Sequence, residues 1–584
     1  MKADSIRYLV AQNIRMTNNI RVFLWLGLAL ALWLNYSQWQ IDYGSKAVAA
    51  GSTATDSTGA PKPSDIADTV PQTTQTAPST PGATDSVPTV ATPGAAVQPE
   101  AELANSQKIR VTTDVLVLDI SLTGGTLVHA ELLGYPVVKG EATNVVLFNT
   151  DDVTTNYVLR TGLSNPADPN GPTHQAKFSA PADSFTLAPG QDELRVPLTW
   201  TDGKGITVTK TFVFKRSMFA IDLEYQIANA TQAPWQAAPY SRIVRTDPPV
   251  ERSMFKVESY ATRGPVIYDG TKYRKLKIDN KEDAALSIDV TNGWIGGMQH
   301  HFVTAVVPDH TAPQKFLMGV NGREYALTSL GQLQTVAPGT TKTLKESIFV
   351  GPKLQKQLES IHPELSRVAD YGVLTLLSKP LFWLLDFAHS FVHNWGLAII
   401  LVTFLLKLMF YPLSEKAGRS MARMRTLAPR MKILQETYKD DRTKLGQETM
   451  ELYKREKVNP VAGCLPMLIQ MPVFLAFYWV LLESVEMRQA PFFGWINDLS
   501  ARDPYFILPV LNGLAMWGQS KLNPPPPDPV QARIFQLMPI VFSIMFALFP
   551  AGLVLYWVTN TGLSILQQWN INRKIAIEDK ARKK

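Results

Sequence analysis

Residue types that can perform covalent chemistry are present in this 584-residue chain, but not at the spacings that such chemistry requires. The sequence has no zinc-binding His-Glu-x-x-His, no Gly-x-Ser-x-Gly nucleophile elbow and no phosphate-binding loop. His389 and His393 have the i, i+4 spacing of two metal ligands, but no carboxylate pattern accompanies them, so we interpret them as packing residues. His300 and His301 adjoin on a predicted strand, where their rings would point to opposite faces of a sheet. We therefore expect no catalytic residue, no metal and no cofactor.

An ionisable side chain inside an apolar run is the strongest functional signal. Lys407 lies within residues 398–413, about 18 Å along a helix from Trp395 at ~1.5 Å per residue. A charge inside a membrane span is costly and is a functional hypothesis by default, although a lysine can also snorkel to the cytoplasmic interface. Thr403 lies one turn earlier on the same helical face. Together with Gln470 in the next run, they indicate a wet interior cavity, and ordinary interhelical hydrogen bonds are the alternative.

Apolar runs must position these side chains. The first, residues 22–37, is extended by Ile20 and Trp39 and follows several basic residues, which predicts an uncleaved anchor with a cytoplasmic N-terminus. A cleaved signal peptide is the alternative, and Met16 is an alternative start. A proline–glycine turn at residues 549–552 divides the last run into two antiparallel spans. The later runs, which bring the predicted spans to six, are residues 395–413, 464–482, 505–519 and 534–565.

Three of these predicted spans are short. Helices of about 15–18 residues reach about 22–27 Å, less than the ~30 Å hydrocarbon core of a bilayer. Short spans thin the bilayer locally, and a thinned bilayer beside a cation-bearing polar cavity lowers the barrier for moving a polar segment across. The spans and charges together indicate an insertion device.

Loop charges set the orientation of the predicted spans. Residues 414–457 hold twelve Lys or Arg and seven Asp or Glu, which predicts a cytoplasmic loop. Apolar residues at 3,4 spacing predict a helical hairpin over residues 414–458, and a solvated charged loop without a partner is the alternative. The basic tail also belongs in the cytoplasm. The arginines that we assign to a basic docking face are Arg419, Arg423, Arg425 and Arg430.

A different pattern fills the N-terminal half. Period-two alternation with frequent turn signals over residues 108–352 predicts an exported antiparallel β-sandwich. A single cysteine excludes an intramolecular disulfide, and the net charge of +7 fits an anionic partner such as nucleic acid or a membrane surface. The predicted segments are a cytoplasmic N-terminus with anchor at 1–43, a disordered linker at 44–107, the β domain at 108–352, connecting and interfacial helices at 353–392, a helical core at 393–570 and a basic tail at 571–584.

Residues 381–568 resemble the YidC/Oxa/Alb family of membrane protein insertases. The resemblance is carried by NWGLAIILVTFLLKLMFYPL, by ELYKREKVNPVAGCLPMLIQMPVFLAFYWVL and by FPAGLVLYWVTNTGLSILQQ. The whole chain is similar to the Gram-negative form, which has a large periplasmic domain. This implies a polytopic α-helical inner-membrane protein with a five-helix core around a hydrophilic groove.

The resemblance also implies roles for particular residues. Lys407 takes the place of the positive groove residue, which is expected to be arginine in many Gram-negative members, and Thr403 matches a substrate-facing position. Met471 and Phe474 match an apolar slide for the incoming span, and Trp557 stands where tyrosine is expected. The partners implied are nascent membrane proteins, the Sec translocon, the translating ribosome with its targeting receptor, and anionic lipids.

Two other functions remain open from the residues alone. A small-solute transporter would usually show repeated halves with broken helices in corresponding places. A membrane-anchored protein that binds or cleaves a sugar or envelope polymer would use the β domain, and an enzyme of this kind would need a carboxylate or His/Glu pair in a cleft.

Overall fold

The structure is a computed structural model. The residues that it describes belong to one compact unit within Lys62–Lys584. The predicted anchor and nearly all of the predicted linker lie outside the described residues. The structure describes residues 103, 106–168, 170–248, 263–369, 371–439, 441–456, 465–522 and 529–583.

Two large sheets make up the N-terminal half. One has eleven strands and the other eight, and long neighbours such as β7, β8, β9 and β19 pair antiparallel, whereas β1 and β6 run parallel. The strands are β1 Lys108–Thr112, β2 Leu116–Ser121, β3 Thr126–Pro136, β4 Asn144–Val146, β5 Tyr157–Ser164, β6 Ser184–Thr186, β7 Glu193–Thr201, β8 Ile206–Lys215, β9 Ala220–Asn229, β10 Trp235–Thr246, β11 Arg263–Tyr268, β12 Tyr273–Lys275, β13 Ser287–Val290, β14 Trp294–Gln299, β15 Phe302–Val307, β16 Gln314–Asn321, β17 Glu324–Leu330, β18 Gln334–Val336 and β19 Thr341–Pro352.

The two sheets bury their apolar faces in one shared core. Alternate residues of β8 and β9, such as Val208 and Leu223, are fully buried against residues of the other sheet, such as Ile120. This is what period-two alternation predicts for strands with one buried face. Lys210 of β8 also lies inside and donates to the carbonyl of Gly124 at 2.7 Å, which places a satisfied ammonium between the sheets.

Helices make up the C-terminal half. In α3 the apolar residues Trp383, Phe387 and Phe391 recur at i, i+4 and are exposed, as in a helix lying in a membrane interface. The helices are α1 Lys281–Ala284, α2 Gln355–Ile361, α3 Thr375–Val392, α4 Trp395–Met409, α5 Tyr411–Thr437, α6 Arg442–Arg455, α7 Leu465–Glu483, α8 Ile507–Leu522, α9 Pro529–Phe546 and α10 Ala551–Lys583.

The predicted apolar run 395–413 is interrupted. It divides at Phe410 into α4 and α5, and Pro412 lies in the first turn of α5, where a missing N–H costs no helical hydrogen bond. Within the described residues, no helix alone meets the length and apolarity needed to cross a bilayer. The pair Trp395–Met409 and Tyr411–Ser420 meets those criteria together, with a 61° bend between its parts.

The expectation that His300 and His301 point to opposite faces is wrong. His300 has φ 48° in the turn that joins β14 to β15, and the two rings stack with centroids 3.7 Å apart. The alternation of side chains holds only in extended backbone, and the turn abolishes it. His300 Nε2 also lies 3.1 Å from the carbonyl of Leu482 at the end of α7.

A buried ion pair joins the sheets to the helices. Lys353, which follows β19, places its Nζ 3.2 Å from the Glu483 carboxylate at the end of α7, and both side chains are almost fully buried. Nearby, Lys139 Nζ donates to the carbonyls of Gln489 and Asn497 at 2.7 and 2.5 Å. These contacts link the β domain to the loop that follows α7.

Replacing Glu483 with alanine should weaken this junction. The substitution leaves the Lys353 ammonium buried without its carboxylate, which costs about 3–5 kcal/mol in measured cases. We expect a lower midpoint of thermal unfolding for the detergent-solubilised chain.

The matched control replaces both partners, as Lys353→Met with Glu483→Leu, because an apolar pair of similar volume leaves no buried charge. It should recover most of the loss. A Glu483→Ala midpoint equal to that of the unmodified chain would contradict the assignment.

Candidate functional site

Lys407 is held against the C-terminal helix. It lies in the last turns of α4 and is half-buried, and its Nζ donates to Ser564 Oγ at 2.7 Å. Ser564 Oγ in turn donates to the Asn560 carbonyl at 2.7 Å, one turn back along α10. The ammonium therefore has a polar partner on a neighbouring helix, between otherwise apolar surfaces.

A second polar contact lies beside the first. Gln470 Nε2 of α7 donates to Asn560 Oδ1 of α10, and both Asn560 and Thr561 are buried. Because Asn560 and Ser564 are four residues apart, they occupy one face of α10. Polar side chains of α4 and α7 thus meet one strip of α10, and the structure brings Lys407 and Gln470 to the same helix.

Ser564 is the site residue that sequence reasoning missed. The only signal was its i, i+4 relation to Asn560, another polar residue of the same apolar run 534–565. A serine within a helix can hydrogen-bond back to the carbonyl of the preceding turn. Its residue type alone therefore did not identify Ser564 as a site residue.

Thr403 has a different environment from Lys407. It is 1% exposed, and its hydroxyl donates to the Ile399 carbonyl at 2.6 Å within α4. Its described hydrogen bond therefore stays inside its own helix. The opposite face of α4 exposes Leu401, Phe404 and Leu408, which is the apolar outer surface.

The predicted apolar slide is partly exposed and partly packed. Met471, next to Gln470 on α7, is 41% exposed. Phe474 packs edge-to-face on Trp557 with ring centroids 4.7 Å apart, and Trp557 also lies 5.2 Å from Phe546 of α9. Trp557 therefore contributes an aromatic packing surface between α7 and α9.

The basic docking face is less free than its sequence indicates. Arg419 pairs with Glu415 at 3.0 Å and with Glu578 of α10 at 2.8 Å. Arg430 Nη1 lies 2.5 Å from Glu456 at the end of α6.

Two of the four arginines therefore bind within the molecule, and the other two differ. Arg423 is exposed, whereas the side chain of Arg425 is not among those that the structure describes. Charge along the sequence did not reveal two of these internal pairs, because Glu578 and Glu456 are distant in sequence from Arg419 and Arg430.

The two helices of the hairpin, α5 and α6, pack through a short apolar seam. Leu427 and Met431 of α5 and Leu452 of α6 are buried, and these positions on α5 belong to the 3,4-spaced pattern of the sequence. The first of these helices ends at Thr437 and the second begins at Arg442, where the Asp441 side chain caps α6 by accepting from the Lys444 N–H.

Two family models and several relatives match the chain. Residues 108–384 match a model described as the YidC periplasmic domain, and residues 387–580 match the 60Kd inner membrane protein model. A protein of Thioalkalivibrio sulfidiphilus is 44% identical, covering 97% of this chain and 100% of its own. A protein of Nitrosococcus oceani is 42% identical, covering 96% and 99%. Both are named membrane protein insertase YidC.

A solved structure also aligns with the chain. The active YidC insertase crystal structure with its first transmembrane domain resolved is 19% identical, and the alignment covers 79% of this chain and 92% of that one at a TM-score of 0.37. The assignment rests on the family models and the sequence relatives. Because these match both halves of the chain and nearly its whole length, the chain belongs to the YidC family of membrane protein insertases.

Proposed function

We propose that the chain inserts nascent inner-membrane proteins into the membrane and helps them fold, without covalent chemistry. The observation that carries the proposal is the pair of polar contacts between apolar helices, Lys407 to Ser564 and Gln470 to Asn560, in a chain whose relatives are named insertases. A cation and hydrogen-bonded polar side chains in this position give a polar segment a hydrated place inside an apolar core.

The Lys407 charge draws acidic residues of the substrate into the groove. At an effective dielectric constant of about 20, an opposite charge at ~4 Å gains up to about 4 kcal/mol before desolvation. A small part of this biases entry without trapping the substrate. The apolar part of the incoming span then passes along Met471 and Phe474 to reach lipid.

Short helices reduce the distance that a polar segment must cross. The sixteen residues of α8 reach about 24 Å, less than the ~30 Å hydrocarbon core. A bilayer that thins to match such helices presents a lower barrier beside the groove. The proposal therefore combines a local charge with a locally thin membrane.

The proposed topology has six spans with both termini in the cytoplasm and the antiparallel β-sandwich in the periplasm. It is supported by the excess of basic residues in the hairpin and tail. It is also supported by α10, whose 33 residues run without a break from the groove into the basic tail. The proposed domain bounds are those predicted above.

The proposed partners follow from the charged surfaces. The hairpin offers Arg423 and other exposed cations to the translating ribosome or its targeting receptor. Basic residues near the membrane attract anionic lipids. The Sec translocon is proposed as a partner on family grounds.

Substitutions at Lys407 test the charge mechanism. Lys407→Arg keeps the charge and should retain activity, whereas Lys407→Ala and Lys407→Glu should lower insertion by about tenfold, as loss of ~1.4 kcal/mol predicts. The loss should be largest for substrates with acidic translocated segments. The measurement is insertion per folded molecule in reconstituted vesicles, with paired substrates that differ only in those acidic residues.

Ser564→Ala is the matched control, since it removes the hydrogen-bond partner and leaves the charge. It should retain most activity. Equal insertion by Lys407→Ala and the unmodified chain on both substrates would refute the charge mechanism.

Charge reversal on the hairpin tests ribosome docking. Arg423→Glu with Lys432→Glu changes two exposed cations of α5 and should weaken co-sedimentation with translating ribosomes, most strongly at low salt. Arg419 and Arg430 are poor choices because their reversal breaks internal ion pairs.

The control reverses two exposed cations of the β domain, Lys177→Glu with Lys204→Glu, and should leave co-sedimentation unchanged. If the α5 variant bound ribosomes as tightly as the unmodified chain across the whole salt series, electrostatic docking by this helix would be rejected.

A further inference from the structure

A cavity lies at the junction of the β domain and the helical core. Its volume is about 490 Å³, within the range of ~300–1,000 Å³ that holds small ligands. The β domain contributes the β14–β15 turn and the end of β10, and the core contributes the loop after α7, including Arg488 and Ser500. Neither half of the molecule forms this cavity alone.

Among the charged side chains of the described lining, arginines outnumber carboxylates. The described lining includes Arg245, Arg263 and Arg488 and one carboxylate, that of Asp498, and the histidines His300 and His301 also line the cavity. The Asp498 carboxylate is engaged in its own loop. Its Oδ1 accepts from the Gln489 N–H at 2.9 Å and from the Ser500 N–H and hydroxyl at 2.8 and 2.7 Å.

Arg245 and Arg488 are each held in place by a hydrogen bond to a backbone carbonyl and by contact with an aromatic ring. Arg245 Nη1 donates to the Met298 carbonyl at 2.8 Å, and its guanidinium lies 4.9 Å from the centroid of the Tyr157 ring. Arg488 Nη2 donates to the Pro136 carbonyl at 2.7 Å, and its guanidinium lies 5.6 Å from the Phe302 ring centroid. A carbonyl and an aromatic face therefore position each of these two guanidinium groups at the cavity wall.

His301 is buried beside these positive groups. Burial first, and then the charges of His300, Lys353 and Arg488, hold the pKa of His301 well below its ordinary value. Its Nδ1 is buried and has no hydrogen-bond partner among the described residues. An anion in the cavity would offset this accumulation of positive charge.

We propose that this junction cavity binds a phosphate-bearing anion, supplied by the headgroup of an anionic phospholipid in the outer leaflet. Arginines from both sides favour a phosphate, because each planar guanidinium can donate two parallel hydrogen bonds to its charged oxygens. The lipid source rests on the proposed topology. His300 contacts Leu482 at the end of α7, so the cavity lies where that apolar helix would leave the bilayer, level with the headgroups. A bound headgroup bridges Arg488 of the core to Arg245 and Arg263 of the β domain.

The test titrates the full-length chain in a nonionic detergent by calorimetry. The probes are dihexanoyl phosphatidylglycerol below its micelle concentration, dihexanoyl phosphatidylcholine, inorganic phosphate and an oligoglutamate peptide. We expect phosphatidylglycerol to bind more tightly than phosphatidylcholine. Arg263→Gln with Arg488→Gln should weaken that binding at least about tenfold, and the matched control Lys177→Gln with Lys204→Gln should not change it.

A second variant keeps the test decisive if the double arginine variant fails to fold. Val146 lines the cavity and is 41% exposed, so Val146→Glu adds a negative charge without removing a junction contact and should weaken binding by a similar factor. Competition by inorganic phosphate as strong as by phosphatidylglycerol would support the anion site and assign it to free phosphate.

Two outcomes would overturn the proposal. One is phosphatidylglycerol binding that neither variant changes, and the other is binding of the oligoglutamate peptide alone. Neither outcome bears on insertion through Lys407, which the reconstituted assay measures separately.

Discussion

The cost of placing a cation among apolar helices is the constraint on which the helical core depends. An ammonium in such surroundings must be hydrogen-bonded or hydrated, and Lys407 meets this requirement through Ser564 of α10. The same helix provides Asn560 for Gln470, the Trp557 ring for Phe474, and Glu578 for Arg419. One 33-residue helix thus receives the polar side chains of α4 and α7 and also binds the first helix of the hairpin, α5.

A second buried charge couples the β domain to this core. Glu483 ends α7 and pairs with Lys353, while Gln470 lies thirteen residues earlier on the same helix, about 20 Å away. The helix that carries Gln470 is therefore tied at its C-terminal end to the sheets. Buried ion pairs add little net stability but are costly to break, so this pair specifies how the two halves meet.

Charge counts along the sequence overstate the free basic surface. The hairpin has an excess of basic residues, yet Arg419 and Arg430 are paired with acids of α5, α6 and α10. The junction of the β domain and the helical core shows the opposite relation, a spatial cluster of charge without a local excess in the sequence. Arg245, Arg263 and Arg488 come from distant segments with no common charge pattern, and folding collects them around one cavity. A local excess of charge and a spatial cluster of charge are therefore different properties.

The sequence by itself determined the features that depend on near neighbours. Alternation marked the strands, apolar runs marked α4, α7, α9 and α10, and an isolated lysine in one such run marked the candidate site, because periodicity and local polarity are set within a few residues. The family followed from long matching strings.

Only the tertiary structure decided which side chains meet. Ser564 is 157 residues from Lys407, and Glu483 is 130 residues from Lys353. The stacking of His300 on His301 depended on a turn with positive φ that alternation did not reveal. Contacts of this kind form when separate helices and strands pack, and no local pattern encodes them, because the free energy that selects them comes from burying the whole core.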